Sequence, residues 1–208
     1  KSGKTAVHAF RQEEDIKRMM DYFRDNGKND EFLIFMLGIL LARRIGDTLS
    51  LKWSDFYYDN GQNKDRLDTL IEQKTDKIVE IQVTDVAWKY IDWYCEKKSI
   101  NPVDHYDEYV FPTPAKNNAV TNEQLADALS QQAASFRYQF KIAAKTLGIA
   151  HVSTHSLRKS FGFMAHQIYQ FDPDCLQVLK SIYGHEDIET TKIYCDIIAD
   201  KAETMFNG

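Results

Sequence analysis

The feature of this sequence that most constrains its fold is an uninterrupted apolar run at residues 32–42. A helix of these eleven residues is too short to cross a bilayer, so the run indicates a helix buried in a protein core. We expect this helix to cover residues 30–44, with Asp30 as its N-cap and Gly46 as its breaker. A chain of 208 residues is long enough to surround such a helix.

Helical periodicity and capping signals recur along the rest of the chain. They predict a short helix at residues 47–51 and longer helices at residues 12–26, 84–98, 121–147, 154–170, 173–183 and 188–206. Stretches rich in β-formers are separated by turn signals and lie at residues 53–58, 67–73 and 77–83. The predicted fold class is therefore mainly α with a small antiparallel three-stranded β-sheet (α+β).

Charge and cysteine content restrict the function classes. The net charge of −5 weighs by itself against nucleic acid as a partner, but local clustering of basic residues matters more than the total. Three widely spaced cysteines favour a reducing cytosol over a disulfide framework or a zinc site. The chain shows no signal peptide, and we expect a cytoplasmic location without membrane attachment. It begins at Lys1 without methionine, and we interpret it as a fragment of a longer protein.

Two arginines and two histidines occur in short motifs that suit the binding of a phosphate. Arg44 lies in the segment at residues 42–47, and His155 and Arg158 lie three residues apart, on one face of the predicted helix. A guanidinium group forms paired, charge-assisted bonds to phosphate oxygens, and an imidazole can move a proton. His185 follows Gly184, a residue typical of a helix C-terminus, and is therefore expected in a loop.

Three further residues fit the same chemistry. Tyr194 lies nine residues after His185, and its phenol could attack a phosphate. Lys74 lies beside a predicted turn of the sheet and could protonate a leaving oxygen, with Lys77 as its competitor. Asp47 could pair with Arg44, cap the short helix, or do both. Each residue alone has an ordinary structural interpretation, such as a surface pair, a helix-end charge or a core tyrosine.

Taken together, these motifs resemble those of the tyrosine recombinases, the phage-type integrases. The resemblance covers residues 10–206 and rests on the segments at residues 44–55, 73–75, 154–158, 183–185 and 190–194. It implies a DNA breaking-rejoining fold, with residues 1–10 as a linker or arm and residues 11–208 as the catalytic domain. The N-terminal core-binding and arm-binding domains of the family are not among these residues.

The resemblance also implies a mechanism and a set of partners. Tyr194 would form a 3′-phosphotyrosine, Arg44 and Arg158 would stabilise the transition state, and Lys74 would act as general acid. His155 would assist proton transfer, and His185 would hydrogen-bond the phosphate. Neither metal, ATP nor another cofactor is expected. The expected partner is double-stranded DNA, bound for integration or excision of a mobile element by a homotetramer whose protomers exchange C-terminal helices. Without DNA the protein could be a monomer.

Three other functions fit parts of the pattern. A type IB topoisomerase-like enzyme would use the same cleavage chemistry without strand exchange. A metal-dependent hydrolase could use His151 and His155, which are spaced i, i+4, although the glutamate of the common zinc motif is absent. A non-catalytic DNA-binding module would keep the basic residues but would not need Tyr194. The apolar pattern at residues 197–206 fits either a helix packed on its own core or one that docks on a neighbouring protomer.

Overall fold

The predicted buried helix is present as α2, Asn29–Leu40, in the computed structural model of this chain. The structure describes residues 7–67 and 81–197. Every residue from Phe32 to Ile39 is buried, because neighbouring helices cover α2 on all sides. Within the two described ranges, no helix is both long enough and apolar enough to traverse a bilayer.

The helices that surround α2 follow the predicted order. They are α1 (Glu13–Asp25), α3 (Ile45–Leu49), α4 (Trp53–Phe56), α5 (Asp85–Lys98), α6 (Pro114–Asn117), α7 (Asn122–Thr146), α8 (Thr154–Tyr169), α9 (Cys175–Tyr183) and α10 (Ile188–Tyr194). Two of the predicted caps are present: the Thr84 hydroxyl accepts from the Ala87 amide, and Thr121 forms a capping box with Gln124. The prediction of Asp30 as the N-cap of α2 was wrong, since Lys28 is the N-cap residue and Asp30 lies in the first turn. Gly27, Gly148 and Gly184 have positive φ angles where α1, α7 and α9 end.

Within the described residues, the β-sheet has one strand fewer than predicted. In the described part of the chain it has two antiparallel strands, β1 (Arg66–Leu67) and β2 (Ile81–Gln82), with Leu67 opposite Ile81. The prediction of a strand at residues 53–58 was wrong, since α4 lies there. Its aromatic residues are buried at helical spacing, and the Asp55 carboxylate accepts the Lys52 amide at 2.7 Å.

The helix predicted for residues 30–44 ends earlier than expected. α2 stops at Leu40, and Ala42 adopts a left-handed conformation with φ of 52°. The chain then re-enters a helix at Ile45, so Gly46 lies inside α3 rather than breaking α2. The predicted short helix at residues 47–51 therefore begins two residues early, and Arg44 lies at its N-terminus.

The last predicted helix is also shorter than expected within the described residues. α10 ends at Tyr194, and Asp196 turns the chain with φ of 60°. Cys195 and Ile197 pack into a second, smaller core with residues of α9. The rest of the predicted helix, from residue 198 onward, lies outside the described residues.

The residues just before α1 lie against the body of the protein. Phe10 is buried in the main core, and its amide donates to Ser160 Oγ of α8 at 2.7 Å. The Ala9 amide donates to Asp196 Oδ2 at 2.6 Å. The described end of the segment predicted as a linker or arm thus contacts both α8 and the turn after α10.

Candidate active site

Arg44 lies where α2 and α3 meet. It is the N-cap residue of α3, with extended backbone angles, and its side chain is partly exposed. The preceding Arg43 is buried, which distinguishes the two adjacent arginines. Asp47 is buried in the first turn of α3, so its predicted role as the N-cap of that helix was wrong.

His155 and Arg158 lie in the first turns of α8. The Ser153 hydroxyl caps this helix by accepting the His155 amide at 3.2 Å, which fixes the histidine at the helix N-terminus. Arg158 follows one turn later and is 4% exposed. The predicted spacing therefore directs both side chains to one side of α8.

A single pocket of about 340 Å³ joins these two parts of the chain. Its lining includes Arg44 and Asp47 from α3 and its cap, and His155 and Arg158 from α8. Arg137 of α7 also lines it. The sequence motifs contain residues far apart in the chain, and the packing of α3 and α8 on α2 and of α7 on α3 brings them together.

The pocket is strongly electropositive around His155. Partial burial and then the nearby charges of Arg137, Arg158, Arg44 and Lys159 lower the pKa of His155 from its ordinary value. A lowered pKa leaves the imidazole neutral at physiological pH, so it can accept a proton. Arg44, Arg137 and Arg158 line the pocket and make it complementary to a phosphate diester.

Sequence reasoning missed Arg137. It lies on the long helix α7, in a stretch without a recognisable motif, and only the packing of α7 against α3 places it in the pocket. The sequence contained no local signal for this role. Lys159 was visible as a basic residue beside Arg158, but its contact with Tyr194 depends on the fold.

The predicted nucleophile and His185 lie together in a cluster of rings next to Arg158. The ring centroids of His185 and Tyr194 are 5.2 Å apart. The ring centroid of Tyr183 lies 5.4 Å from that of His185 and 5.1 Å from that of Tyr194. His185 Nδ1 is 2.9 Å from Thr191 Oγ1, which fixes the orientation of the imidazole. The Lys159 ammonium lies 5.4 Å from the centroid of the Tyr194 ring.

Tyr183 connects this ring cluster to the cationic pocket. Arg158 Nη2 donates to the Tyr183 backbone oxygen at 3.1 Å, and the Tyr183 hydroxyl donates to the Arg158 backbone oxygen at 2.7 Å. The two residues therefore fix α8 and α9 relative to each other. Of the predicted site residues, Lys74 and its competitor Lys77 lie outside the described residues.

His151 and His155 do not lie on one helix, as the hypothesis of a metal site requires. His151 precedes α8, has a φ of 59°, and packs its ring against that of His8. The two histidines therefore do not share a helix face. Over residues 7–67 and 81–197, no three His, Cys, Asp or Glu side chains are grouped so as to hold a metal ion.

Sequence comparison identifies the family. Residues 10–200 match the sequence profile described as the phage integrase family. The chain belongs to the phage integrase family. This membership confirms the resemblance that the arginine, histidine and tyrosine motifs indicated.

Other integrases and recombinases are similar to this phage integrase family member over most of its length. It is 28% identical over 200 residues to the probable integrase/recombinase YoeC of Bacillus subtilis, covering 96% of this chain and 95% of YoeC. It is 29% identical over 192 residues to the tyrosine recombinase XerD of Rickettsia prowazekii, covering 86% of this chain. The match spans 56% of that XerD.

Solved structures confirm the fold. The recombinase XerA matches with a TM-score of 0.60 and 19% identity, over 100% of this chain and 66% of XerA. XerH bound to its palindromic difH substrate in a post-cleavage complex matches with a TM-score of 0.59 and 18% identity, over 99% of this chain and 54% of XerH. The mainly helical fold with a small sheet is therefore that of tyrosine recombinases.

Proposed function

We propose that this protein is a site-specific DNA recombinase that cleaves and rejoins DNA through a 3′-phosphotyrosine on Tyr194, in the integration or excision of a mobile element. The observation that carries the proposal is the placement of Tyr194 and His185 against Tyr183, which is bonded to Arg158 of the cationic pocket. A nucleophile beside a phosphate-binding pocket is the arrangement that such cleavage requires.

The arginines carry the charge stabilisation. Attack by the Tyr194 oxygen on phosphorus spreads negative charge over the non-bridging oxygens. Arg44 and Arg158 approach the pocket from separate elements and are proposed to bind these two oxygens, with Asp47 supporting Arg44. Removing one such contact from an electrostatic site typically slows the chemical step by about 10²–10³-fold.

Proton transfer is assigned to His155, Lys74 and His185. The lowered pKa of His155 suits acceptance of the Tyr194 proton at neutral pH. As the bond between phosphorus and the 5′ oxygen breaks, Lys74 is proposed to protonate that leaving oxygen. His185 is proposed to donate from Nε2 to the phosphate, which in the neutral ring requires Nδ1 to accept from the Thr191 hydroxyl.

Rejoining reverses the first step. A 5′ hydroxyl of a second strand attacks the phosphotyrosine and gives its proton to Lys74, while the displaced Tyr194 oxygen takes back a proton from His155. The number of phosphodiester bonds is unchanged, so we propose that the reaction needs neither ATP nor a metal ion. A topoisomerase-like enzyme would rejoin only the original strand, and transfer to a second duplex distinguishes the two activities.

DNA binding and assembly are proposed from the chemistry and the relatives. The cationic pocket suits the DNA backbone, and XerH was solved bound to a difH substrate before and after cleavage. We propose that residues 11–208 form the catalytic domain and act in the bacterial cytoplasm as a homotetramer on DNA. Exchange of C-terminal helices would join the protomers, although residues 198–208 lie outside the described residues. Deletion of residues 201–208 should then weaken assembly on DNA more than folding.

The decisive experiment is cleavage of a nicked suicide substrate in the presence of EDTA. A library of nicked duplexes with a randomised core avoids the need to know the target, and the covalent protein–DNA adduct is recovered from a denaturing gel and sequenced. We expect an adduct with the wild-type protein and none with Tyr194→Phe. Tyr169→Phe, which changes an exposed tyrosine at the end of α8, is the matched control and should retain cleavage.

The alternatives predict other outcomes. An adduct that persists in Tyr194→Phe would mean that another tyrosine is the nucleophile. Cleavage that requires a divalent metal would overturn the proposed chemistry. DNA binding without any adduct across the library would favour a non-catalytic binding module.

A further inference from the structure

An ion pair lies directly behind the proposed nucleophile. Asp196, two residues after Tyr194, is 7% exposed, and its Oδ1 is 3.4 Å from Lys159 Nζ. Its other oxygen, Oδ2, accepts the Ala9 amide at 2.6 Å. Lys159 is also largely buried, with 16% of its side chain exposed. Leaving a buried carboxylate without such partners costs free energy of folding. These contacts therefore fix the turn that ends α10.

The same lysine contacts the nucleophile. The Lys159 ammonium lies 5.4 Å from the Tyr194 ring centroid, within the range of a cation–π contact. Lys159 follows Arg158 directly on α8. One turn of this helix therefore contributes Arg158 to the cationic pocket and Lys159 to the contact with Tyr194. The backbone of Asp196 is left-handed, with φ of 60°, a conformation that aspartate adopts more readily than most residues.

The third partner comes from the other end of the described chain. The Phe10 amide donates to Ser160 Oγ, and the His8 amide donates to His151 O at 2.9 Å. These two hydrogen bonds fix the segment at residues 8–10 on the protein. The Phe10 side chain is buried in the main core. Through Ala9 and Asp196, this segment therefore contacts the turn that immediately follows Tyr194.

We propose that Lys159 and Asp196 are positioning residues for Tyr194, and that the segment at residues 8–10 is coupled to the nucleophile through the Asp196 carboxylate. This proposal rests on the proposed function of Tyr194. In this proposal neither residue acts by binding DNA. Their effect is on the fraction of protein in which the phenol is aligned for attack, because the pair sets the path of the chain after Tyr194.

The test is a double-mutant cycle on single-turnover adduct formation with a saturating substrate recovered from the library. We expect Lys159→Met and Asp196→Asn each to slow cleavage by about 10- to 10²-fold, the effect of small misalignments of a reacting group. The variant with both changes should lose no more than either single variant, because both act through one pair. Lys159→Arg should recover most of the rate, since its guanidinium can still reach Asp196.

Two measurements separate positioning from folding and from binding. DNA affinity, measured in a Tyr194→Phe background, should stay at the level of the parent protein. Hydrogen exchange of the DNA-free full chain should show faster exchange of the Ala9 amide in Asp196→Ala. Glu189→Gln removes an exposed carboxylate of α10 that is paired with Lys192, and as the control it should change none of these readouts.

The outcomes are distinguishable. A wild-type chain that forms no adduct defeats the proposed function. A wild-type chain that cleaves while the single variants cleave equally fast defeats the positioning proposal alone. Additive losses in the double variant, or losses that follow the melting temperature, also defeat it.

Discussion

Gly162 of α8 lies so close to Cys195 that a Cβ on the glycine would collide with the cysteine sulfur. The same Cβ would lie 2.6 Å from the Tyr183 hydroxyl oxygen. The absence of a side chain at Gly162 therefore allows α8 to approach both the turn after Tyr194 and the tyrosine that bonds to Arg158.

Replacement of Gly162 by alanine should disturb this contact. We expect Gly162→Ala to lower the free energy of unfolding by about 1–3 kcal/mol through overpacking, and to slow adduct formation by displacing Tyr183. Chemical denaturation and single-turnover cleavage measure the two effects. Addition of Cys195→Ala should restore part of the stability, and a double variant as unstable as Gly162→Ala alone would contradict the steric explanation.

The hydroxyl of Tyr183 should matter separately from its ring. Tyr183→Phe removes the buried hydrogen bond to the Arg158 backbone oxygen and keeps the ring contacts with His185 and Tyr194. We expect a loss of about 1–2 kcal/mol in the free energy of unfolding. The exposed Tyr169→Phe variant should show no such loss in the same denaturation experiment.

Arg137 should control the titration of His155. After burial, its charge is the largest cause that lowers the pKa of His155, so Arg137→Gln should move this pKa upward. Protonation removes the proposed base as the pH falls, and the acidic limb of the cleavage profile should therefore shift to higher pH. An NMR titration of the DNA-free protein measures the same shift directly. Lys17→Gln, at an exposed position of α1, is the control, and an unmoved His155 titration in Arg137→Gln would disprove the assignment.

Lys116 should give the stability a pH dependence of its own. The residue is 2% exposed, and its ammonium donates at 2.8 Å to the backbone oxygen of Leu49, at the end of α3. Burial lowers the pKa of Lys116 from 10.5 to about 8. Between these two values the unfolded chain binds more protons than the folded one, so this group makes the free energy of unfolding rise with pH. Below about pH 8 both states are protonated, and the cost of burying the charge is fully present.

The measurement is the difference between wild type and Lys116→Met, because other groups also titrate in this range. Urea denaturation at several pH values from 7 to 10 should show a steeper rise with pH for the wild type. Parallel curves for the two proteins would mean that Lys116 has an ordinary pKa in the fold.

Sequence signals were sufficient where local chemistry decides the structure. The Thr84 and Thr121 caps and the glycines that end α1, α7 and α9 were identified correctly, because a cap and its partner lie within a few residues. The pairing of His155 with Arg158 was also predictable, since a spacing of three residues on a helix places both on one face.

Other elements depended on tertiary contacts. The segment with Trp53 and Phe56 has the composition of a strand, but the core buries both side chains on one turn of helix. Strand propensity mainly reflects packing on a half-buried sheet surface, whereas Trp53 and Phe56 are both buried in the core. The break after α2 likewise depends on the left-handed Ala42, which has no glycine signal.

The sequence by itself determined the family, most of the helices and the identity of the candidate chemical groups, because short motifs and helix periodicity are local properties of the chain. The tertiary structure alone decided that Arg137 enters the pocket, that Tyr183 links Arg158 to Tyr194, and that Ala9 bonds to Asp196. These relationships join residues distant in sequence. They arise because helices that bury their apolar faces together must also bring their polar side chains into contact, and no local pattern specifies which of these will meet.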